Sequence, residues 1–137
     1  MAATVHVLVA TAEREVYRGE AEMLVAPGVA GELGILPKHA PLLSALKPGE
    51  LRIRRGEETD EVFVSGGFME VQPDMITVLA DTAERATDLD EAQVIEAERR
   101  ARELIDTKGG ALDLAQAEAS LALAVARLDW IKKKKKH

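Results

Sequence analysis

The sequence predicts an α+β protein, an N-terminal β-sandwich followed by a C-terminal antiparallel two-helix hairpin. Three observations point that way. Up to about residue 80, apolar and polar residues alternate in short runs, each bounded by Gly, Pro or Asp. From near Arg85 the apolar spacing becomes helical, and Lys108-Gly109-Gly110 then interrupts it. Two helices joined by so short a link are antiparallel neighbours. The boundaries that follow are 1–86 for the sandwich and 87–137 for the hairpin, joined across Glu84 to Asp88.

Each strand has its own local reason. Thr4 to Val9 places Val5, Val7 and Val9 on one face and His6 on the other. Glu15 to Gly19 and Ala21 to Ala26 are short extended segments, the second stopped by Pro27. Lys47-Pro48-Gly49 is a turn, after which Leu51 and Ile53 alternate with Arg52, Arg54 and Arg55, so one face is wet. Gly56 turns the chain into Glu61 to Val64, Gly66 and Gly67 allow a bulge or tight corner, and Phe68 to Val71 resumes the extension. Pro73-Asp74 turns again, and Met75 to Ala80 is expected as the last of seven or more strands.

The helices are equally explicit. Asp88, three residues ahead of Glu91, has the arrangement of an N-cap, and Val94, Ala97, Ala101, Leu104 and Ile105 follow helical spacing. Glu96 with Arg100 and Glu98 with Arg102 are four-apart pairs in the favourable order. Asp113 with Gln116 caps a second helix whose stripe runs Leu114, Ala117, Leu121, Ala124, Val125, Leu128 and Ile131. Leu123 and Trp130 lie off that stripe and imply a second buried face. The hairpin is too small for an independent core of ordinary size, and its many alanines bury few methylenes. Weak docking, with two positions of similar free energy, is the expectation.

Composition excludes several classes of function. The chain has 137 residues, enough for one domain or two small ones, and no apolar run approaches the roughly 20 residues that span a bilayer. The start has neither a secretory signal nor an Arg-rich transit peptide, so a bacterial cytoplasm is the expected location. Zero cysteines exclude disulfides and thiol catalysis, and His6, His39 and His137 are too scattered for a metal site. A net charge of -6 argues against general nucleic-acid binding. Against that balance, Lys132 to Lys136 end the chain in a run that suits the negative pole of a helix C-terminus, a reading preferred over an anionic-partner site. The acidic pairs Asp81 with Glu84 and Asp88 with Asp90 read as turn and cap residues, and no nucleophile with a positioned base can be picked out.

The densest stretch lies between Gly28 and Leu43, which crowds glycines, Pro37, Pro41 and an apolar run into sixteen positions. It reads as a shaped loop. No Lys-Ser or Lys-Thr pair opens a helix after its glycines, and Leu33 to Pro37 reads as extended chain, so neither a phosphate loop nor a dinucleotide fingerprint fits. The words GELGILPKHAPLL, with Ser65-Gly66-Gly67-Phe68-Met69-Glu70-Val71 and Thr77-Val78-Leu79-Ala80-Asp81, closely resemble the epsilon subunits of F-type ATP synthases. The resemblance covers nearly the whole chain, with the motifs in the expected order.

That resemblance implies a non-catalytic rotor subunit on the cytoplasmic face of the bacterial inner membrane. It implies a sandwich that meets the gamma subunit and the ring of c subunits, with Glu32, Leu36, His39 and Pro41 as interface candidates and Leu42 and Leu43 assigned to the core. It further implies a hairpin that restrains ATP hydrolysis, with Arg99, Arg100, Arg102, Arg127, Lys132 and Lys133 facing acidic segments of the catalytic subunits. Solvated pairing of the three first-helix arginines with nearby glutamates is the alternative. Some relatives carry a nucleotide motif at the junction; here Leu89 and Asp90 match it, but Gln93 and Val94 stand where Arg and Ala belong. ATP is therefore expected to bind poorly, and no cofactor is expected. A free-standing nucleotide- or small-molecule-sensing module, with ligand between sandwich and hairpin, is the competing class.

Overall fold

The computed structural model of the chain describes residues 3–88, 92, 95–96, 98–100, 103 and 114–135. The polypeptide divides into two compact units, Met1–Thr87 and Asp88–His137.

Ten strands build the first unit: β1 Val5–Ala10, β2 Glu15–Ala21, β3 Met23–Gly28, β4 Gly31–Ile35, β5 Leu42–Leu46, β6 Gly49–Arg55, β7 Glu58–Val64, β8 Gly67–Val71, β9 Met75–Ala80 and β10 Ala83–Arg85. They hydrogen-bond in the order β10-β7-β6-β3-β5-β8-β9-β1-β2, with β4 attached to β3. All pairings are antiparallel except β1 with β9, where His6 sits beside Met75 and Ala10 beside Leu79. β3 is the corner. Its first half pairs with β6 and its last residue, Gly28, with Leu46 of β5, so the sheet turns from one layer into the other there. Pro27 is compatible with that corner because it needs no donor; its carbonyl still accepts from the Lys47 N–H at 2.9 Å.

Alternation makes the interior. Val5, Val7 and Val9 of β1, Leu51 and Ile53 of β6, Met69 and Val71 of β8, and Ile76 and Val78 of β9 point inward and are almost wholly buried. They form one cluster with Leu24, Ile35 and Val62, and no charged or polar side chain is buried among the described residues. The two end strands of the path approach each other, as the Arg85 guanidinium of β10 lies 5.5 Å from the centre of the Tyr17 ring on β2 and 3.5 Å from Asp60 of β7. One glycine is demanded by this packing. Gly67 opens β8 with φ 133°, and an added Cβ would lie 2.8 Å from the Ala80 Cα on β9.

The structure departs from the sequence-based expectation in four places. The stretch from Gly28 to Leu43 is not loop throughout, because Gly31–Ile35 forms β4 on the edge of β3; the two prolines confine irregular chain to residues 36–41. Met75–Ala80 is not the last strand, since the three-residue β10 follows and pairs with β7. Leu43 is not core: its neighbours Leu42 and Ser44 turn inward and leave it on the outer face of β5. Val125 is 40% exposed although the helical spacing put it in the buried stripe.

In the second unit, residues 92, 95–96, 98–100 and 103 are helical, and a helix runs from Leu114 to Lys135. Trp130 and Ile131 are buried and Leu123 is partly so. Asp88 closes a short 3-10 turn, Ala86–Asp88, while the rest of its expected cap lies outside the described residues. The helix stop at Lys108 to Gly110 and the cap at Asp113 also lie outside them.

Candidate functional site

The most distinctive surface of the first unit is a largely apolar sheet face. Pairing places Ala45, Phe68 and Leu79 in one row across β5, β8 and β9, and Leu43, Glu70 and Thr77 in the next. Adjacent strands are ~4.8 Å apart, so these residues are lateral neighbours. Because Met69, Val71, Val78 and Ala80 fill the core, strand alternation forces Phe68, Glu70, Thr77 and Leu79 outward. Val29 joins the same surface, its N–H donating to the Ala45 carbonyl at 3.1 Å. Relative exposures of 60% for Val29, 69% for Leu43, 57% for Phe68 and 59% for Leu79 are high for large apolar side chains, and their contiguity marks an interaction face.

Around this face stand the residues singled out by sequence. Leu36, 56% exposed, His39 and Pro41 share the loop of residues 36–41. Lys38 there adopts φ 64°, and its N–H donates to the Pro73 carbonyl at 2.9 Å, tying the loop to the β8–β9 turn. The ring Nδ1 of His39 lies 2.7 Å from the Ala40 carbonyl oxygen. Glu32 is separate, four residues from Leu36 and therefore ~13 Å along an extended strand. Its carboxylate accepts from Arg52 at 3.0 Å on the outer side of the sheet. A shallow depression of about 220 Å³ nevertheless connects it to the apolar face, with Glu32, Leu33, Leu42 and Leu43 in its lining.

Sequence reasoning missed Phe68 and Leu79 as surface residues and misassigned Leu43. The signal was available in Phe68-Met69-Glu70-Val71: a strand with Glu70 on its wet side must carry Phe68 on that side too.

On the helical unit the candidates do not form one cluster among the described residues. Arg99 donates to Glu96 at 3.2 and 2.6 Å and also to Glu103, and Arg100 donates to Glu96 at 2.9 Å. Hydrogen bonds from Arg99 and then Arg100 hold the Glu96 carboxyl down at about 2. These arginines are thus solvated partners of their own helix's glutamates. Arg127 is partly buried, and Lys132 and Lys133 are exposed near the end of the helix, where exposed Asp129 offsets part of their charge. Arg102, Leu89 and Asp90 lie outside the described residues. No group of three or more His, Asp and Glu capable of holding a metal occurs among the described residues.

Comparison with known proteins adds the family. Residues 4–86 match the beta-sandwich domain, and residues 87–132 the long alpha-helix domain, of the ATP synthase delta/epsilon chain. The chain is 52% identical over 133 residues to the ATP synthase epsilon chain of Acidithiobacillus ferridurans, covering 97% of this chain and 94% of that one. It is 50% identical over 137 residues to the epsilon chain of Nitrosococcus oceani, covering 99% and 98%. A chain in the Euglena gracilis mitochondrial ATP synthase (OSCP/F1/c-ring) shares its fold at TM-score 0.71 and 21% identity, covering 90% of this chain and 79% of that one. The polypeptide thus belongs to the ATP synthase delta/epsilon family, on the epsilon-chain branch.

Proposed function

We propose that this epsilon chain is a non-catalytic subunit of the rotor, attached through its sandwich to the gamma subunit and the c-ring, coupling proton-driven rotation to ATP synthesis on other subunits. The carrying observation is the exposed apolar face of Val29, Leu43, Phe68 and Leu79, the last three carried on paired strands over a fully apolar core. A subunit that transmits torque needs a stiff element with a sticky face, and such a sheet is stiff because its side chains interlock. The face suits gamma. The loop bearing Leu36, His39 and Pro41, at one end of that face, suits the c-ring, with Glu32 contributing from the far end of β4. No described helix is long and apolar enough to cross a membrane, and the chain is assigned to the cytoplasmic face as a peripheral part of the complex.

The helical unit is proposed as the arm that restrains ATP hydrolysis, reaching the alpha and beta subunits through the basic end formed by Arg127, Lys132 and Lys133. Regulation by ATP is not part of the proposal, because Gln93 and Val94 replace the Arg and Ala of the nucleotide motif. Calorimetry on the isolated chain should find no sub-millimolar ATP binding; tight binding would require other arginines to take over.

A fragment ending at Ala86 tests the division of labour, since the apolar row and the 36–41 loop lie within it. It should fold by circular dichroism and co-purify with gamma and the c-ring. A folded fragment that fails to join them would remove the sandwich from the attachment role.

A further inference from the structure

We infer that the partner covering the β5–β8–β9 face brings one basic side chain to Glu70, and that this pair sets the register of docking. The inference rests on the rotor-attachment reading. Glu70 projects from the same side of β8 as Phe68, between Leu43 on β5 and Thr77 on β9. Two exposed apolar side chains therefore flank it, Leu43 directly opposite and Phe68 on its own strand, with Thr77 and Gln72 on its other sides. Among the described residues it makes neither a hydrogen bond nor an ion pair. Some other exposed acids of the sandwich are already paired: Glu15 accepts from Arg18 at 2.8 Å and Glu32 from Arg52 at 3.0 Å.

A surface that excludes water from Leu43, Phe68 and Leu79 excludes it from Glu70 as well, because side chains opposed across a strand pair are only ~5 Å apart. A carboxylate stripped of water without a partner opposes association strongly, whereas an ion pair with further hydrogen bonds offsets that cost. An arginine fits best, since its fork satisfies both carboxylate oxygens. A second copy of this chain does not meet the requirement. A two-fold contact would add a second Glu70, and the face formed by Val29, Leu43, Ala45, Phe68, Thr77 and Leu79 contains no lysine or arginine. The apolar row alone would tolerate sliding by a residue pair along the strands; one buried charge pair allows a single register.

The test uses the full chain and the gamma subunit of the same enzyme, with affinities measured by titration and folding of each variant checked by its melting curve. Glu70→Leu enlarges the apolar face, yet it should weaken binding by about tenfold or more because it strands the partner's cation. Glu70→Gln should fall between wild type and Glu70→Leu, and should flatten the dependence of affinity on salt. Phe68→Ser is the companion. If Phe68→Ser weakens binding while Glu70→Leu binds as well as or better than wild type, no cation faces Glu70 and the inference is overturned. If Phe68→Ser also leaves binding unchanged, the docking face itself is misassigned.

Discussion

Tyr17 shows how a single side chain can close a sheet. It lies on β2 and, with Arg85 of β10 and Asp60 of β7, joins the two ends of the strand path through a cation–π contact at 5.5 Å and an ion pair at 3.5 Å. Burial raises its hydroxyl above the ordinary value of 10.0, and the Asp60 charge and hydrogen bond push the same way, against opposing effects of Arg55 and Arg85. Tyrosine loses its proton as pH rises, so a raised folded value favours the protonated, folded form. The stabilisation is fully present below about pH 10 and is lost as pH climbs through the raised value. The chain has one tyrosine, so spectrophotometric titration reads this group alone. Its midpoint should lie above 10 in the folded protein and return to about 10 in denaturant; a folded midpoint at or below 10 would mean that burial and the contact with Asp60 do not together outweigh Arg55 and Arg85 in solution.

Individual elements differ in how far local rules specify them. β1, β6, β8 and β9 were legible because a buried strand with one wet side must alternate, and Val5, Val7, Leu51 and Ile53 do so. β10 was hidden, since three residues cannot display a period. β4 was visible in part, since Leu33 to Pro37 read as extended chain, while its glycines, which weaken strand propensity, hid its start at Gly31. The proposed docking face was only half visible: the loop around His39 is marked by Pro37 and Pro41, whereas Phe68 and Leu79 look like core until the layer they face is known. In the helical unit the four-apart spacing of Glu96 and Arg100 was legible and the pair forms, while Arg99 joins Glu96 from three residues away. With Arg99 and Arg100 engaged by glutamates, the exposed lysines near the end of the C-terminal helix are better placed to meet a partner. Deleting residues 111–137 should raise ATP hydrolysis by the assembled enzyme. Replacing Lys132 to Lys136 by glutamine should do so in part, and the difference should shrink at high salt, where exposed charges beyond ~8–10 Å are screened. Hydrolysis unchanged by both alterations, in complexes that retain the subunit, would deny the arm a restraining role.

At the scale of the whole molecule the two units have different physical character. The sandwich has an apolar core and stiff paired strands, while the helical unit is rich in alanine and in exposed ion pairs. That difference suits the first to the proposed transmission of torque and the second to the proposed adjustable contact. The central claim is that the β5–β8–β9 face, and not another side of the sandwich, meets the rotor. Hydroxyl-radical footprinting of the full chain, free and within the assembled synthase, tests it side chain by side chain. Leu43, Phe68 and Leu79 should lose most of their reactivity on assembly, while Met23 on β3 and Tyr17 on β2, both partly exposed, keep theirs. Protection of Met23 and Tyr17 with Phe68 and Leu79 still reactive would place the attachment on the opposite side and contradict it.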